Sequence, residues 1–164
     1  SEGKEQILRF SGSGELVGYR SILSDEPISA SVVAMDDTFA CYIPKSSFFE
    51  IIEDNPKFSL SLLKKSCHEL GEAGKIITSL AQKTVRERLA EVFLILRSTF
   101  GEDVEGYIDL EITRQEIANM VGTATESAIR LLTELKKKEL IATRGKRIKI
   151  LDRQQLSQVA AVYD

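Results

Sequence analysis

From Ile112 to Leu151 the chain reads ITRQEIANMVGTATESAIRLLTELKKKELIATRGKRIKIL. Thr113 followed by Glu116 is a capping box, in which a hydroxyl and a carboxylate satisfy the free amides at a helix start. Ile117, Ala118 and Val121 give that helix its apolar face, and Gly122 breaks it. Thr123 with Glu126 predicts a second capping box ten residues later. Ile129, Leu132 and Leu135 supply the buried side of the second helix, with the small Ala128 near the crossing. Leu140–Thr143 and Arg147–Leu151 predict two strands joined near Gly145, with Arg144, Lys146 and Arg147 clustered at the tip. A helix-turn-helix followed by a basic hairpin is the layout of a winged helix, and it implies double-stranded DNA as the partner.

Within that unit, Thr125, Glu126, Ser127 and Arg130 fall on the exposed start of the second helix, where a recognition helix meets base edges. Arg130 can bridge guanine O6 and N7, Glu126 can accept from cytosine N4, and Thr125 or Ser127 can reach a base edge or a phosphate. Thr113, Arg114, Thr123, Arg144, Lys146 and Arg147 are the candidates for the DNA backbone. Lys136, Lys137 and Lys138 suit phosphates or solvent. The plain alternative is a small helical domain with a solvated basic hairpin. A surface arginine alone carries little weight, and the ordered series of box, glycine, box and hairpin is what favours DNA.

The chain has 164 residues, 43% of them hydrophobic, enough for one large domain or two small ones. Its net charge is −3, yet residues 113–151 hold nine Lys/Arg against four Asp/Glu, a local +5 that leaves about −8 for the rest. An acidic body with one basic segment fits a regulator that touches DNA through one end. Cys41 and Cys67 are too few for a disulfide framework and fit a reducing compartment. No leader-like segment opens the chain, and no apolar run approaches the ~20 residues of a membrane span. The expectation is a soluble, cytoplasmic protein with no membrane partner.

Ahead of the winged helix, Ile7–Phe10, Val32–Ala34 and Phe39–Ile43 read as short β segments, separated by the turns Ser11–Gly14 and Asp36-Asp37, with Pro27 at a corner. These are few strands for a sandwich or a barrel. Pro56 suits the first turn of a long helix capped by Asn55 or Asp54. Leu63, Cys67, Leu70, Gly74, Ile77 and Ala81 then follow at spacings of 4, 3, 4, 3 and 4, a heptad seam. Gly71 and Gly74 weaken the helix by about 1 kcal/mol each relative to alanine. Either this face covers the β region or it pairs with a second copy across a twofold axis, and a homodimer is expected. A further helix runs from about Lys83 to Thr99, with Val85, Leu89, Val92, Phe93 and Leu96 as its buried stripe. Gly101 to Gly106 is a loop. The expected organisation is α+β: a β region at 1–54, a dimerisation helix at 55–82 and the winged helix-turn-helix at 83–164.

Catalysis and metal binding find no support. His68 is the only histidine, and adjacent residues such as Cys67 and His68 do not face one site on a helix. One cysteine and one histidine fall short of the four ligands of a closed zinc site. Gly12-x-Gly14 lacks the further glycine, the lysine and the following helix of a phosphate loop. Asp36-Asp37 reads as a turn former. No enzyme, no metal and no cofactor are expected.

These residues resemble the family of bacterial transcription regulators typified by the cyclic-AMP receptor protein and the fumarate–nitrate regulators. The likeness covers nearly the whole chain. It rests on Gly14-Glu15-Leu16-Val17-Gly18, Ser29-Ala30-Ser31-Val32-Val33-Ala34, Asn55-Pro56, the long helix, and above all Thr113-Arg114-Gln115-Glu116-Ile117-Ala118. The resemblance implies a β-roll sensor domain like those that bind cyclic nucleotides, a dimerising helix, and a homodimer on a near-palindromic operator. Activators in the family contact RNA polymerase, which makes it a further candidate partner. Family members are longer, and the likeness implies that the start of the sensor domain precedes Ser1.

Several positions depart from the family pattern. Where nucleotide-responsive members carry a glutamate for the ribose, this chain has Tyr19, and the arginine that holds the cyclic phosphate is replaced by Ile28, beside Ser29. The hydroxyl residues that the dimer helix offers to the base are Ala73 and Gly74 here. An apolar Ile28 cannot neutralise a phosphate, so the resemblance implies a degenerate effector pocket with no cyclic nucleotide bound in the usual way. Thr125, Glu126 and Arg130 match the base-reading places, and the first is commonly arginine, which implies a different operator. The effector is not legible. An effector would have to bias two arrangements of dimer helix and DNA module, hinged near Leu80–Thr84. The rival reading is a protein-interaction module with weak nonspecific DNA binding.

Overall fold

The structure is a computed structural model that describes residues 5–161. Its helices are α1 (Tyr19–Ser24), α2 (Lys45–Asp54), α3 (Pro56–Gln82), α4 (Val85–Phe100), α5 (Arg114–Val121), α6 (Thr125–Lys137) and α7 (Arg153–Val159). The strands β1 (Ile141–Arg144) and β2 (Arg147–Ile150) lie between α6 and α7. Contacts divide the chain into two units, one of Arg9–Glu72 and one that joins the residues up to Leu8 with those from Ala73 onward. The division falls within α3 rather than at the ends of that helix.

In the first unit, Tyr19, Phe48 and Leu62 are buried and collect Leu16, Ile22, Ile43, Ile52 and Phe58 around them. The Phe48 and Phe58 rings meet edge to face, 6.2 Å between centroids. Asn55 accepts the Phe58 amide at 3.0 Å and so caps α3 as its sequence suggests.

The expected strands are a correction. Ile7–Phe10, Val32–Ala34 and Phe39–Ile43 form no strand among the described residues, and the partial β-roll carries no ladder here. A strand needs a neighbouring strand to take its amides and carbonyls in a ladder; Ile7 makes one isolated bond, its amide to the Asn119 carbonyl at 3.2 Å. The side chains of Leu8, Val32, Val33, Phe39 and Tyr42 stay exposed, while Ile43 packs against the core of the first unit.

The second unit is built on α4. Leu89, Ala90, Phe93 and Leu96 recur at spacings of one, three and three and are fully buried. They pack against α5, α6 and α7. Thr84 and Glu87 form a full capping box at the start of α4, one that the sequence reading passed over. Leu156 and Ala160 of the last helical turn close the core from the other side. Asp152 caps α7 by accepting the Gln155 amide at 2.9 Å.

The hairpin pairs Ile141 with Ile150 and Arg144 with Arg147, leaving a two-residue loop of Gly145 and Lys146. Gly145 has φ 61°, a positive value at the first loop position that a glycine adopts without strain. Ile108 and Ile112 are drawn alongside by hydrogen bonds from their backbone amides to the carbonyls of Ile148 and Lys146, at 2.8 and 3.2 Å. Both isoleucines are buried.

Candidate nucleic-acid interface

Helix α5 starts as its sequence predicts. The Thr113 hydroxyl oxygen accepts the Glu116 amide at 3.2 Å, and the Glu116 carboxylate accepts the Thr113 amide and hydroxyl, both at 2.7 Å. The Thr113 hydroxyl, then its backbone amide, hold the Glu116 carboxyl below the usual glutamate value. Thr113 is thereby committed to the cap.

Helix α5 ends in a Schellman closure. Gly122 has φ 71°, and the amides of both Gly122 and Thr123 donate to the Ala118 carbonyl, at 2.9 and 3.0 Å. That closure overturns the second capping box. The cap residue of α6 is Ala124, with no side-chain hydrogen bond. Thr123 belongs to the end of α5, so its hydroxyl stands one residue too early to cap α6.

Arg88 locks this turn. Its Nε donates to the Val121 carbonyl at 2.8 Å, and its Nη1 to the Lys83 carbonyl at 2.7 Å. One guanidinium therefore joins the end of α5 to the break between α3 and α4, the place expected to hinge.

On α6, Ala128, Leu132 and Leu135 are buried. Glu126, Arg130, Thr133 and Lys137 are exposed and stand opposite them at helical spacing. Ile129 is a correction: it is exposed on the flank of that face rather than packed. Among the described residues neither Glu126 nor Arg130 forms an ion pair. Thr125 and Ser127 are half-buried. The Thr125 hydroxyl donates to Gln115 Oε1 at 2.6 Å, and Gln115 Nε2 donates to Asn119 Oδ1 at 2.8 Å. Thr125 thus ties the two helix starts together.

The wing differs most from its sequence. Arg144 and Arg147 do not stand free: both ion-pair with Glu105, and Arg147 also pairs with Asp103. The Tyr107 ring lies under the Arg147 and Arg144 guanidinium groups, 4.5 and 5.0 Å from its centroid. Asp103 Oδ1 accepts the amides of Glu105 and Tyr107 at 2.9 and 3.0 Å, which folds the loop into place. Arg144, then Arg147, hold the Glu105 carboxyl below the glutamate range, so it is ionised at neutral pH. Lys146 is exposed at the tip without an ion pair among the described residues. Arg114 Nη2 donates to the Gly145 carbonyl at 3.1 Å, tying α5 to the wing turn.

Residues 1–55 match the cyclic nucleotide-binding domain, and residues 87–159 match the Crp-like helix-turn-helix domain. The fumarate and nitrate reduction regulatory protein of Vibrio cholerae is 31% identical over 98% of this chain. The transcriptional activator protein Anr of Pseudomonas protegens is 32% identical over 96% of it. Over nearly its whole length the chain is similar to the cyclic-AMP receptor protein and fumarate–nitrate regulator family. That family consists of transcription regulators, not enzymes. The chain spans 65% of the length of each of these two relatives. The family fold also appears in the structure of FixK2 from Bradyrhizobium japonicum, with a TM-score of 0.66 at 24% identity, covering 74% of this chain and 61% of that one.

The residues expected to form the family's effector pocket are placed apart in character. Tyr19 is 2% exposed and sits in the apolar cluster of the first unit, whereas Ile28 is 76% exposed and Ser29 is exposed beside it. Tyr19 is thus part of the core of the first unit. Ala73 and Gly74 are both exposed. All six seam residues, Leu63, Cys67, Leu70, Gly74, Ile77 and Ala81, are exposed along α3. Among the described residues no group of three or more His, Cys, Asp or Glu is placed to hold a metal ion, and no helix is long and apolar enough to cross a membrane.

Sequence reading missed Arg88, Gln115, Asp103, Glu105 and Tyr107. Asp103 and Glu105 were visible as acidic residues in a predicted loop, but nothing local said that a wing 39 to 44 residues later would fold against them.

Proposed function

We propose that the chain is the DNA-binding and dimerising part of a sequence-specific transcription regulator that works as a homodimer. The carrying observation is the outer face of α6, where Glu126 and Arg130 project unpaired from a helix whose opposite side is anchored by Ala128, Leu132 and Leu135. A rigid helix with free polar side chains near its N-terminus is what major-groove reading needs. Ser127 and Thr125 flank that face, with Thr125 serving first to hold α5 and α6 together. Lys146, Arg114, Arg144 and Arg147 supply the backbone contacts. Thr113, whose hydroxyl and amide are both engaged with Glu116, offers its position alone, whereas Thr123, whose amide is engaged with Ala118, keeps a hydroxyl with no hydrogen bond among the described residues.

Dimerisation is proposed through the α3 seam. Leu70 and Ile77, 75% and 67% exposed, stand one heptad apart, and a second copy is the partner whose pattern matches. We further propose that no cyclic nucleotide binds in the family's usual mode, since Ile28 offers a phosphate no charge and Tyr19 is spent in the core. RNA polymerase remains a candidate partner by family likeness, and residence in the cytoplasm follows from DNA as the target. The rival, a protein-interaction module with weak nonspecific DNA binding, draws on the exposed Ile129 beside the reading face.

A selection from random duplexes at fixed salt, followed by sequencing of the retained DNA, tests the proposal. Enrichment of a twofold-symmetric motif with half-sites about one helical turn apart is expected. Retention without enrichment would move the assignment to the interaction module.

A further inference from the structure

We propose that Glu105 is a built-in competitor for DNA phosphate, holding the face of the wing arginines that the nucleic acid backbone would otherwise take. The inference rests on the DNA-binding reading of the wing and adds to it a residue that sets affinity and salt dependence.

The two acids of the loop play different parts. Asp103 is largely covered, and its carboxylate folds the loop through the Glu105 and Tyr107 amides while it pairs with Arg147. Glu105 is 47% exposed at its side chain, and among the described residues its carboxylate has no partner except Arg144 and Arg147. Removing the Glu105 charge therefore leaves the loop's own hydrogen bonds intact. Tyr107 holds both guanidinium groups from the ring side, so the arginines keep their places when the carboxylate leaves.

A carboxylate that bridges two guanidinium groups presents to them the same charge-assisted acceptor chemistry as a phosphate. Binding a duplex then exchanges one anion for another, instead of adding an anion to free cations. The exchange releases fewer counterions than two unpaired arginines would, which flattens the dependence of affinity on salt. Because Glu105 contacts no base-reading residue, it acts on all sequences alike. The device keeps the wing from holding random DNA tightly and leaves discrimination to Glu126 and Arg130.

The test is Glu105→Gln, which preserves shape and removes the charge, measured on operator and random duplexes across a salt series. Glu50→Gln, an exposed acid on α2, is the charge-matched control. Each additional phosphate neutralised steepens the slope of log K against log salt by about 0.9, which is about a threefold larger change in affinity over a fourfold range of salt. The expected result for Glu105→Gln is a steeper slope, tighter binding to both duplexes and an unchanged preference between them, with Glu50→Gln at wild-type values. An unchanged slope overturns the proposal, and so does weaker binding, which would make Glu105 a support for the arginines rather than their competitor. Elution from heparin, a polyanion that needs no DNA-reading face, separates the two layers. If the wild-type chain binds no duplex at any salt, the DNA reading fails. In that case later elution of Glu105→Gln than of Glu50→Gln still supports the shielding, and co-elution overturns it.

Discussion

The Nε–H of Arg88 donates to the carbonyl of Val121 at 2.8 Å, across 33 residues of chain. The same guanidinium takes the Lys83 carbonyl at 2.7 Å. A single side chain near the start of α4 thus satisfies carbonyls at the end of α5 and beyond the end of α3, groups that helix ends leave without partners. The fork ties the turn before α6 to the start of α4.

Replacing Arg88 with alanine strands those carbonyls in a half-buried place. A loss of about 1–3 kcal/mol is expected, the range for hydrogen bonds from a charged donor. Arg88→Lys should recover only part of it, because a lysine has no planar fork to reach both carbonyls. Denaturant unfolding of the three proteins measures this; equal midpoints would dismiss Arg88 as a lock.

Gly122→Ala tests the turn itself. At φ 71° an alanine carries about 1–2 kcal/mol of backbone strain. Its Cβ would also stand 3.1 Å from Gln6 Oε1 and from Leu80 Cδ2. Reduced thermal stability and weaker DNA binding together are expected, and a variant as stable as the parent would show that the closure at Ala118 is dispensable.

Acid should weaken the α5 cap. Glu116 has a folded pKa below its ordinary 4.5. Its contribution is fully present above about pH 4.5 and is lost as pH falls through the lower folded value. Glu116→Gln should therefore lie below the parent in melting temperature at neutral pH, with the gap closing in stronger acid. Thr113→Ala should cost about 1 kcal/mol at neutral pH. A gap that stays constant across the pH series would mean that the carboxylate charge plays no part.

Leu70→Glu places a charge on the most exposed leucine of the α3 seam. Sedimentation is expected to show a dimer for the parent and a monomer for the variant, while each unit keeps its helicity because Leu70 belongs to neither core. An unchanged dimer would take the seam out of the interface.

Arg130→Ala and Lys146→Ala should separate reading from holding. The first should lose about 1–3 kcal/mol of discrimination between operator and random duplex. The second should weaken both duplexes alike and flatten the salt slope by about one. Equal losses on both duplexes for Arg130→Ala would remove it from the base-reading set.

How far the sequence reached depended on the range of the interaction involved. The Thr113–Glu116 cap, the stop at Gly122, the amphipathic face of α6 and the hairpin about Gly145 were all legible. Each is decided by residues within a few positions of one another. The Thr84–Glu87 box is local in the same way. Thr123–Glu126 had the right letters but formed no cap, because the closure at the end of α5 had already placed Thr123 outside α6.

Three features belonged to tertiary structure alone. The β segments at 32–34 and 39–43 have strand composition, yet a strand exists only beside a partner, and among the described residues none lies alongside. Tyr19 aligned with a ligand-binding position but was drawn into the Phe48 and Leu62 core. The pairing of Glu105 and Asp103 with Arg144 and Arg147 spans about 40 residues. The sequence by itself determined where helices begin, turn and expose charge, since caps and periodicity are local. Which charges end up neutralised and which remain free to meet DNA was decided only when the chain folded, since ion pairs depend on distances in space.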